Sequence, residues 1–283
     1  MQIFHDTILR LLRRGAFKNI EKMMEKSHAA DIAHVIRLLD SERDKRDVFN
    51  FVTNEKKKAS VLEALDTSET LLLLEDLEDK KIIDIFQQMP SDAVADIMGA
   101  LPQEISAELL KMMEPKGSEA VEELLRYPED TAGGIMTTDF YALSKETTVG
   151  ETIQRLQKEL DRENIFYVYV VNEPGHLVGV LSLRKLLQVG PETAIEDIMN
   201  TEVISVRVDA DQEEVAKLVA RYNLLALPVI DESHKLVGIV TVDNVVDVIR
   251  DEATEDILKM GGVGEVEVLE RSSLKSARVR LPW

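Results

Sequence analysis

Phe166-Tyr-Val-Tyr-Val-Val171, Asn172-Glu-Pro-Gly-His176 and Leu177-Val-Gly-Val-Leu181 follow one another without a break. The first segment is β-branched and aromatic throughout and reads as a buried strand; the second holds Pro-Gly and reads as a turn; the third returns as a strand. The same order recurs in Ala226-Leu-Pro-Val-Ile230, Asp231-Glu-Ser-His-Lys235 and Leu236-Val-Gly-Ile-Val240. Gly179 corresponds to Gly238, an offset of 59 residues (238 − 179), and Ser182 to Thr241. Upstream of each copy lies a helical pattern, over 149–161 and 212–222, and before each unit a Met-centred turn, Ile135-Met-Thr-Thr138 and Ile198-Met-Asn-Thr201. A single β-α-β-β-α unit of roughly 60 residues leaves one sheet face uncovered, so the two are predicted to pack on one another.

Working outward toward the amino terminus, Pro128 and Gly133-Gly134 break a different pattern. Between 28 and 113, blocks close on apolar residues at 39, 52, 65, 77, 89, 101 and 113, in steps of 13, 13, 12, 12, 12 and 12. Blocks open on helix-start residues: Ser41, Asn54, Asp66-Thr-Ser, Pro90-Ser-Asp and Pro102. Within blocks the apolar positions keep helical spacing, as in Ile82, Ile83, Ile85, Phe86 and Met89. Helices this short are marginal alone, which predicts a stacked all-α superhelix. By itself that repeat fits a plain helical adaptor.

The charge narrows the partners. Lys+Arg 34 against Asp+Glu 53 leaves a net −19, which disfavours nucleic acid and anionic lipid. Divalent cations relieve such crowding best; the alternative is acidity serving solubility alone. With no cysteine, disulfides and thiolate metal sites are excluded. His28 and His34, six apart, fall on different helix faces and offer no zinc pair. The run Leu71-Leu72-Leu73-Leu74 stands between Glu69 and Glu75 and is far short of a membrane span. Met1-Gln-Ile-Phe-His-Asp6 does not read as a secretory signal, so a soluble, cytosolic chain is expected. No nucleophile elbow, P-loop or zincin pattern is present, which argues against an enzyme. Gly261-Gly-Val-Gly264 lacks the lysine of a phosphate loop and reads as a joint.

Three acidic groupings stand out, the smallest being Asp92 and Asp96, one turn apart in the helical region. Asp243, Asp247, Asp251 and Glu255 step by four, with Glu252 and Asp256 alongside and Arg250 within the stretch. Like charges at that spacing weaken a helix by a few tenths of a kcal/mol per pair, which suits either a cation site or a solvated face. Asp209-Ala-Asp211-Gln-Glu213-Glu214 opens a helix, where acids favour the dipole and Asp211 is a natural cap. Magnesium takes carboxylate oxygens, one or two directly, and keeps several waters. Two carboxylates ~5.5 Å apart repel by ~3 kcal/mol at an effective dielectric near 20, enough for several pairs to hold surfaces apart until cations bind.

The duplicated hairpins with Gly179 and Gly238, and Gly238-Ile-Val-Thr241-Val-Asp243 before the last helix, resemble a tandem CBS-domain pair. Glu129-Asp-Thr-Ala-Gly-Gly-Ile-Met-Thr137, Asp211-Gln-Glu-Glu-Val-Ala216 and Glu252-Ala-Thr-Glu-Asp-Ile257, with the acidic helical repeats, resemble the cytosolic region of MgtE magnesium transporters over residues 15–283. The resemblance implies a multidomain α and α/β chain. An all-α helical-repeat domain (1–127) precedes two CBS domains (128–195 and 196–256), followed by a linker and the start of a "plug" helix (257–283). It further implies a homodimer through the CBS domains, at the cytoplasmic face of the membrane. Bound Mg²⁺ would lock shut a pore formed by the protein's own transmembrane domain, with the first span expected after the basic, Trp-ending segment 263–283.

By the same resemblance, Asp211, Glu213, Glu252 and Glu255 bind Mg²⁺ facing the plug, and Ala220 contributes its carbonyl oxygen. Asp92 and Asp96 match a pair that meets the CBS region through cation, with the Gly133 carbonyl beside them. Asn244 stands there in place of the usual Asp, which keeps an oxygen and loses a charge. Asn223 likewise replaces an Asp that would share a site with Asp247. The rival reading is an adenine-nucleotide sensor binding ATP or AMP, with Thr241 and Asp243 on a ribose, Ser182 and Arg184 in the first unit, and Tyr167 stacking on a base. A passive dimerising scaffold is the third.

Overall fold

The computed structural model describes residues 2–158 and 165–260. The chain divides into two units, Met1–Pro128 with Thr137–Asp139, and Glu129–Met136 with Phe140–Trp283. The predicted plug helix over 263–283 and the joint at Gly261–Gly264 lie outside the described residues.

The first unit is all helical: α1 (Gln2–Arg13), α2 (Phe17–Lys26), α3 (Ala29–Leu38), α4 (Glu42–Asn50), α5 (Glu55–Glu63), α6 (Thr67–Leu74), α7 (Asp79–Phe86), α8 (Ser91–Gly99), α9 (Gln103–Met112) and α10 (Pro115–Leu124). The predicted start signals act as such. Ser41 Oγ accepts from Asp44 N at 3.3 Å, Asn54 Oδ1 accepts from Lys57 N at 2.9 Å, and Pro90 and Pro102 stand immediately before α8 and α9. α1 packs chiefly on α2, and from α3 onward each helix packs chiefly on the next but one: α3, α5, α7 and α9 form one row, and α4, α6, α8 and α10 the other. Ile36, Phe49, Leu62, Leu73, Ile85 and Met98 are buried in this unit. Basic side chains reach from one helix to carbonyls at the ends of others, where the dipole favours them. Arg37 donates to Ala64 O, Arg46 Nε to Leu72 O at 3.0 Å, and Lys57 Nζ to Met24 O and Ser27 O at 3.1 Å. A superhelix of short, mutually dependent helices is the result.

The second unit contains β1 (Ala142–Ser144), α11 (Val149–Lys158), β2 (Tyr167–Val171), β3 (Leu177–Ser182), α12 (Leu183–Leu186), β4 (Val206–Arg207), α13 (Gln212–Tyr222), β5 (Ala226–Ile230), β6 (Leu236–Thr241) and α14 (Val242–Met260). They form two three-stranded sheets, β1-β2-β3 and β4-β5-β6, each with a parallel pair followed by an antiparallel hairpin. The duplication extends to irregularities: register slips between Val170 and Val171 in one hairpin, and between Val229 and Ile230 in the other. Leu177 N donates to His234 O and Leu236 N to Gly175 O, both at 3.2 Å, so the hairpin turns meet. Tyr169, Ala226 and Ile239 form a buried cluster joining the two sheets, as the uncovered faces required. Gly179 lets Met199 pack close, since a Cβ there would stand 2.5 Å from Met199 Sδ and displace that side chain. The copies differ in their last helices. α12 has 4 residues and α14 has 19, and it is α14 that carries the acidic ladder.

Candidate functional site

Asp243, Asp247, Asp251 and Glu255 all lie on α14, one turn apart. Asp243, Asp247 and Asp251 are exposed and Glu255 is half-buried. Local cations offset part of the ladder: Arg250 Nη1 stands 3.8 Å from Asp247 Oδ1, and Lys259 pairs with Glu255 one turn on. That hydrogen bond is the main cause raising the Lys259 ammonium above its ordinary range. Ala253 and the exposed Val246, Ile249 and Ile257 run beside the ladder as an apolar stripe at helical spacing.

Glu252 leaves the ladder for another helix. Its Oε1 accepts from Gln212 Nε2 at 2.6 Å, joining α14 to the amino-terminal turn of α13. There Asp211 caps α13, its Oδ1 accepting from Glu213 N at 2.8 Å, as its position in the sequence predicted. Glu213 Oε2 accepts from Lys217 Nζ at 2.6 Å, and this bond is the first cause raising that lysine. Ala220 is exposed on the same helix, and Asn223 ends it with φ 51. That left-handed position suits Asn or Gly better than most residues.

Gly133 lies in the segment crossing in front of α13. Ala132 N donates to Ala210 O at 2.7 Å, Gly133 N to Val208 O at 2.9 Å and Gln212 N to Asp130 O at 2.9 Å. Asn244, in the first turn of α14, donates from Nδ2 to Ile135 O at 2.9 Å. The structure therefore brings Gly133, Asp211, Asn244 and Glu252 into one connected region of the second unit. Asp92 and Asp96 lie on α8 of the first unit. The start of α8 is fastened by Ser91, whose Oγ is 3.2 Å from Thr137 Oγ1 and 3.0 Å from Thr138 Oγ1.

Among the described residues no three His, Asp or Glu side chains converge closely enough to cage a metal. The candidate ligands that stand out in the sequence offer carboxylate, amide and backbone oxygens, a donor chemistry that suits a hard cation such as Mg²⁺.

A separate cavity of about 180 Å³ opens beside β2 and β5, lined in part by Tyr167, Tyr169, Asn200, Glu202, Leu224 and Pro228. Tyr167 was legible as a candidate; Arg184, Thr241 and Asp243 are not among its lining residues. Thr241 is buried at the end of β6, opposite Ala226. Tyr169 was missed. Its side chain is buried, and its hydroxyl has no hydrogen-bond partner among the described residues. Burial, reinforced by Tyr167, pushes the Tyr169 phenol well above its ordinary range. The available signal was the two-residue spacing of Tyr167 and Tyr169, which puts both on one strand face.

Residues 27–130 match the family described as the MgtE intracellular N domain, and residues 132–192 and 195–251 each match the CBS domain. The chain is 51% identical over 156 residues to the magnesium transporter MgtE of Thermus thermophilus, covering 55% of this chain and 35% of that protein. It is 43% identical over 175 residues to the magnesium transporter MgtE of Bacillus subtilis, covering 62% and 39%. The chain thus spans little more than a third of the length of these relatives. Among solved structures, the cytosolic domain of the Mg²⁺ channel MgtE in complex with ATP matches with a TM-score of 0.80 at 37% identity, over 86% of this chain and 99% of that one. The soluble part of a magnesium transporter matches at 0.77 and 33%, over 89% and 99%. Among the described residues no helix is long and apolar enough to cross a membrane.

Proposed function

Because the chain belongs to the MgtE family, we propose that it is the magnesium-sensing regulatory region of a magnesium transporter, closing an attached pore when Mg²⁺ binds. Two solved relatives that match most of the chain are a channel's cytosolic domain and a transporter's soluble part, not enzymes. The observation that carries the reading is the ladder Asp243, Asp247, Asp251 and Glu255 on one helix of a chain with net charge −19.

Asp92 and Asp96 on α8, Asp211 and Glu213 on α13, and Asp247, Glu252 and Glu255 on α14 supply carboxylate oxygens; Gly133, Ala220 and Asn244 supply neutral ones. Without cation, like charges favour separated surfaces; a divalent ion bridging them favours the compact arrangement. The ion acts only through tighter binding to that arrangement, and several weak sites acting together make the response steep. The stripe Val246, Ile249, Ala253 and Ile257 on α14 suits a second copy of the chain, giving a homodimer through the CBS pair. The partner in the membrane is the protein's own pore domain, and the site of action is its cytoplasmic face.

A second reading, compatible with the first, rests on Tyr169. A buried hydroxyl without a partner beside a cavity is a poised ligand contact, and one solved relative holds ATP. At about 180 Å³ the cavity is below the ~300–1,000 Å³ of small-molecule sites, so it suits a base ring with the remaining nucleotide outside.

Limited proteolysis separates these readings. Magnesium titration is expected to protect the chain steeply, and ATP titration to protect only sites around β2 and β5. Identical digestion under all conditions leaves a static connector.

A further inference from the structure

The first 27 residues carry Arg10, Arg13, Arg14, Lys18, Lys22 and Lys26 against Asp6, Glu21 and Glu25. Their net charge is +3, so the remaining chain holds −22 of the total −19. This reversal coincides with a structural element. α1 and α2 form a hairpin turning at Gly15, whose φ of +63 favours glycine and where a Cβ would meet nothing within 4 Å. The hairpin precedes the matched N-domain region, which starts at residue 27.

Ile8, Ile20 and Met24 are buried and hold the hairpin on the helical rows. Opposite Ile8, helical geometry puts Ile3, Asp6, Arg10 and Arg13 on one face. Ile3 is 84% exposed, whereas Phe17, at the start of α2, is already stacked on Phe51 with ring centroids 5.3 Å apart. Arg10, Arg13 and Arg14 are exposed and make no ion pair among the described residues, although Arg37, Lys45 and Arg46 in the next helices all do. With Asp6 and Leu9 they line an open notch of about 540 Å³.

We propose that the α1–α2 hairpin docks on an anionic lipid bilayer, the arginines against headgroups and Ile3 at the acyl boundary. Phospholipid charge complements the arginines, and hydrocarbon takes the flanking apolar side chain, for which a nucleic-acid backbone offers nothing. The inference rests on the proposed function, which places the chain beside a membrane. A tether there raises the effective concentration, so a weak surface suffices. Each basic residue near an anionic surface contributes about fivefold in partitioning.

Co-sedimentation of the whole chain in EDTA with phosphatidylglycerol–phosphatidylcholine vesicles tests it. Wild type is expected to bind, to release at raised salt, and to ignore pure phosphatidylcholine. Combined Arg10→Glu, Arg13→Glu and Arg14→Glu should lower partitioning on the order of a hundredfold, with unchanged thermal unfolding. The corresponding Arg→Lys triple variant should bind as wild type, and Ile3→Ser severalfold more weakly. Basic residues elsewhere in the chain are common to all variants. Unchanged binding by the Glu variant, equal binding to neutral vesicles, or equal or tighter binding to duplex DNA would each overturn the inference. Because the assay excludes Mg²⁺, magnesium-dependent protease protection on the same preparations shows separately whether the sensing reading stands.

Discussion

Asn244 Nδ2 donates to the carbonyl oxygen of Ile135 at 2.9 Å, tying the first turn of α14 to the segment that carries Gly133. A carboxylate at 244 has no proton to give that carbonyl. Asn244 therefore gives up a charge and gains a fixed connection that needs no cation. In EDTA, Asn244→Asp is expected to lose about 1–3 kcal/mol in urea unfolding, and to recover part of it in Mg²⁺. Asn244→Ala should lose about 1 kcal/mol without that recovery.

Lys45 Nζ and Glu69 Oε1 are 2.6 Å apart, between α4 and α6, each side chain only 15% exposed. At that depth, removing Lys45 leaves the Glu69 carboxylate with Arg37 Nε, 3.6 Å from its Oε2, as its remaining ion-pair partner among the described residues. Lys45→Met should cost about 2 kcal/mol, and adding Glu69→Gln should restore part of it. A double-mutant cycle by urea denaturation reads the coupling; additive losses would count against it.

Gly179→Ala inserts a methyl against Met199. Overpacking of this kind costs about 1–3 kcal/mol. Met199→Ala in the same chain should return some of that loss, because it clears the Sδ and Cγ positions. Thermal unfolding of the three variants is sufficient to compare them.

Tyr169 predicts an alkaline limit. Its phenol is raised in the folded state, whereas an unfolded tyrosine ionises near pH 10. Folding stability from this group is complete below about pH 10 and is lost as pH climbs toward the folded value, because the unfolded chain releases the proton first. Tyr169→Phe should remove that component, shifting alkaline unfolding upward while leaving stability at neutral pH nearly unchanged. Absorbance of tyrosinate followed together with circular dichroism against pH measures both.

Much of the fold was legible because the relevant signals are local. Ser41, Asn54 and Pro102 mark helix starts by chemistry that acts over one turn, and the matching hairpins repeat even the slips after Val170 and Val229. The pairing of alternate helices into two rows was not legible, since it depends on which faces of equal hydrophobicity meet. At the site, the cap at Asp211 followed from position. The Glu252–Gln212 bond did not, because it joins residues 40 apart. The acidic ladder looked barer in sequence than it is, for Lys259 lies beyond the stretch yet reaches back to Glu255. Tyr169 was obscured by an aromatic strand that reads as core, and Tyr169 is indeed core except for its hydroxyl. The basic hairpin was hidden by averaging, as a net −19 conceals a +3 segment.

Small-angle scattering of the chain in EDTA and in saturating magnesium chloride tests the central claim most directly. The account predicts a smaller radius of gyration with Mg²⁺, reached over a narrow concentration range and reduced when Asp247, Asp251 and Glu255 are changed to their amides. Superimposable profiles in the two conditions would contradict it.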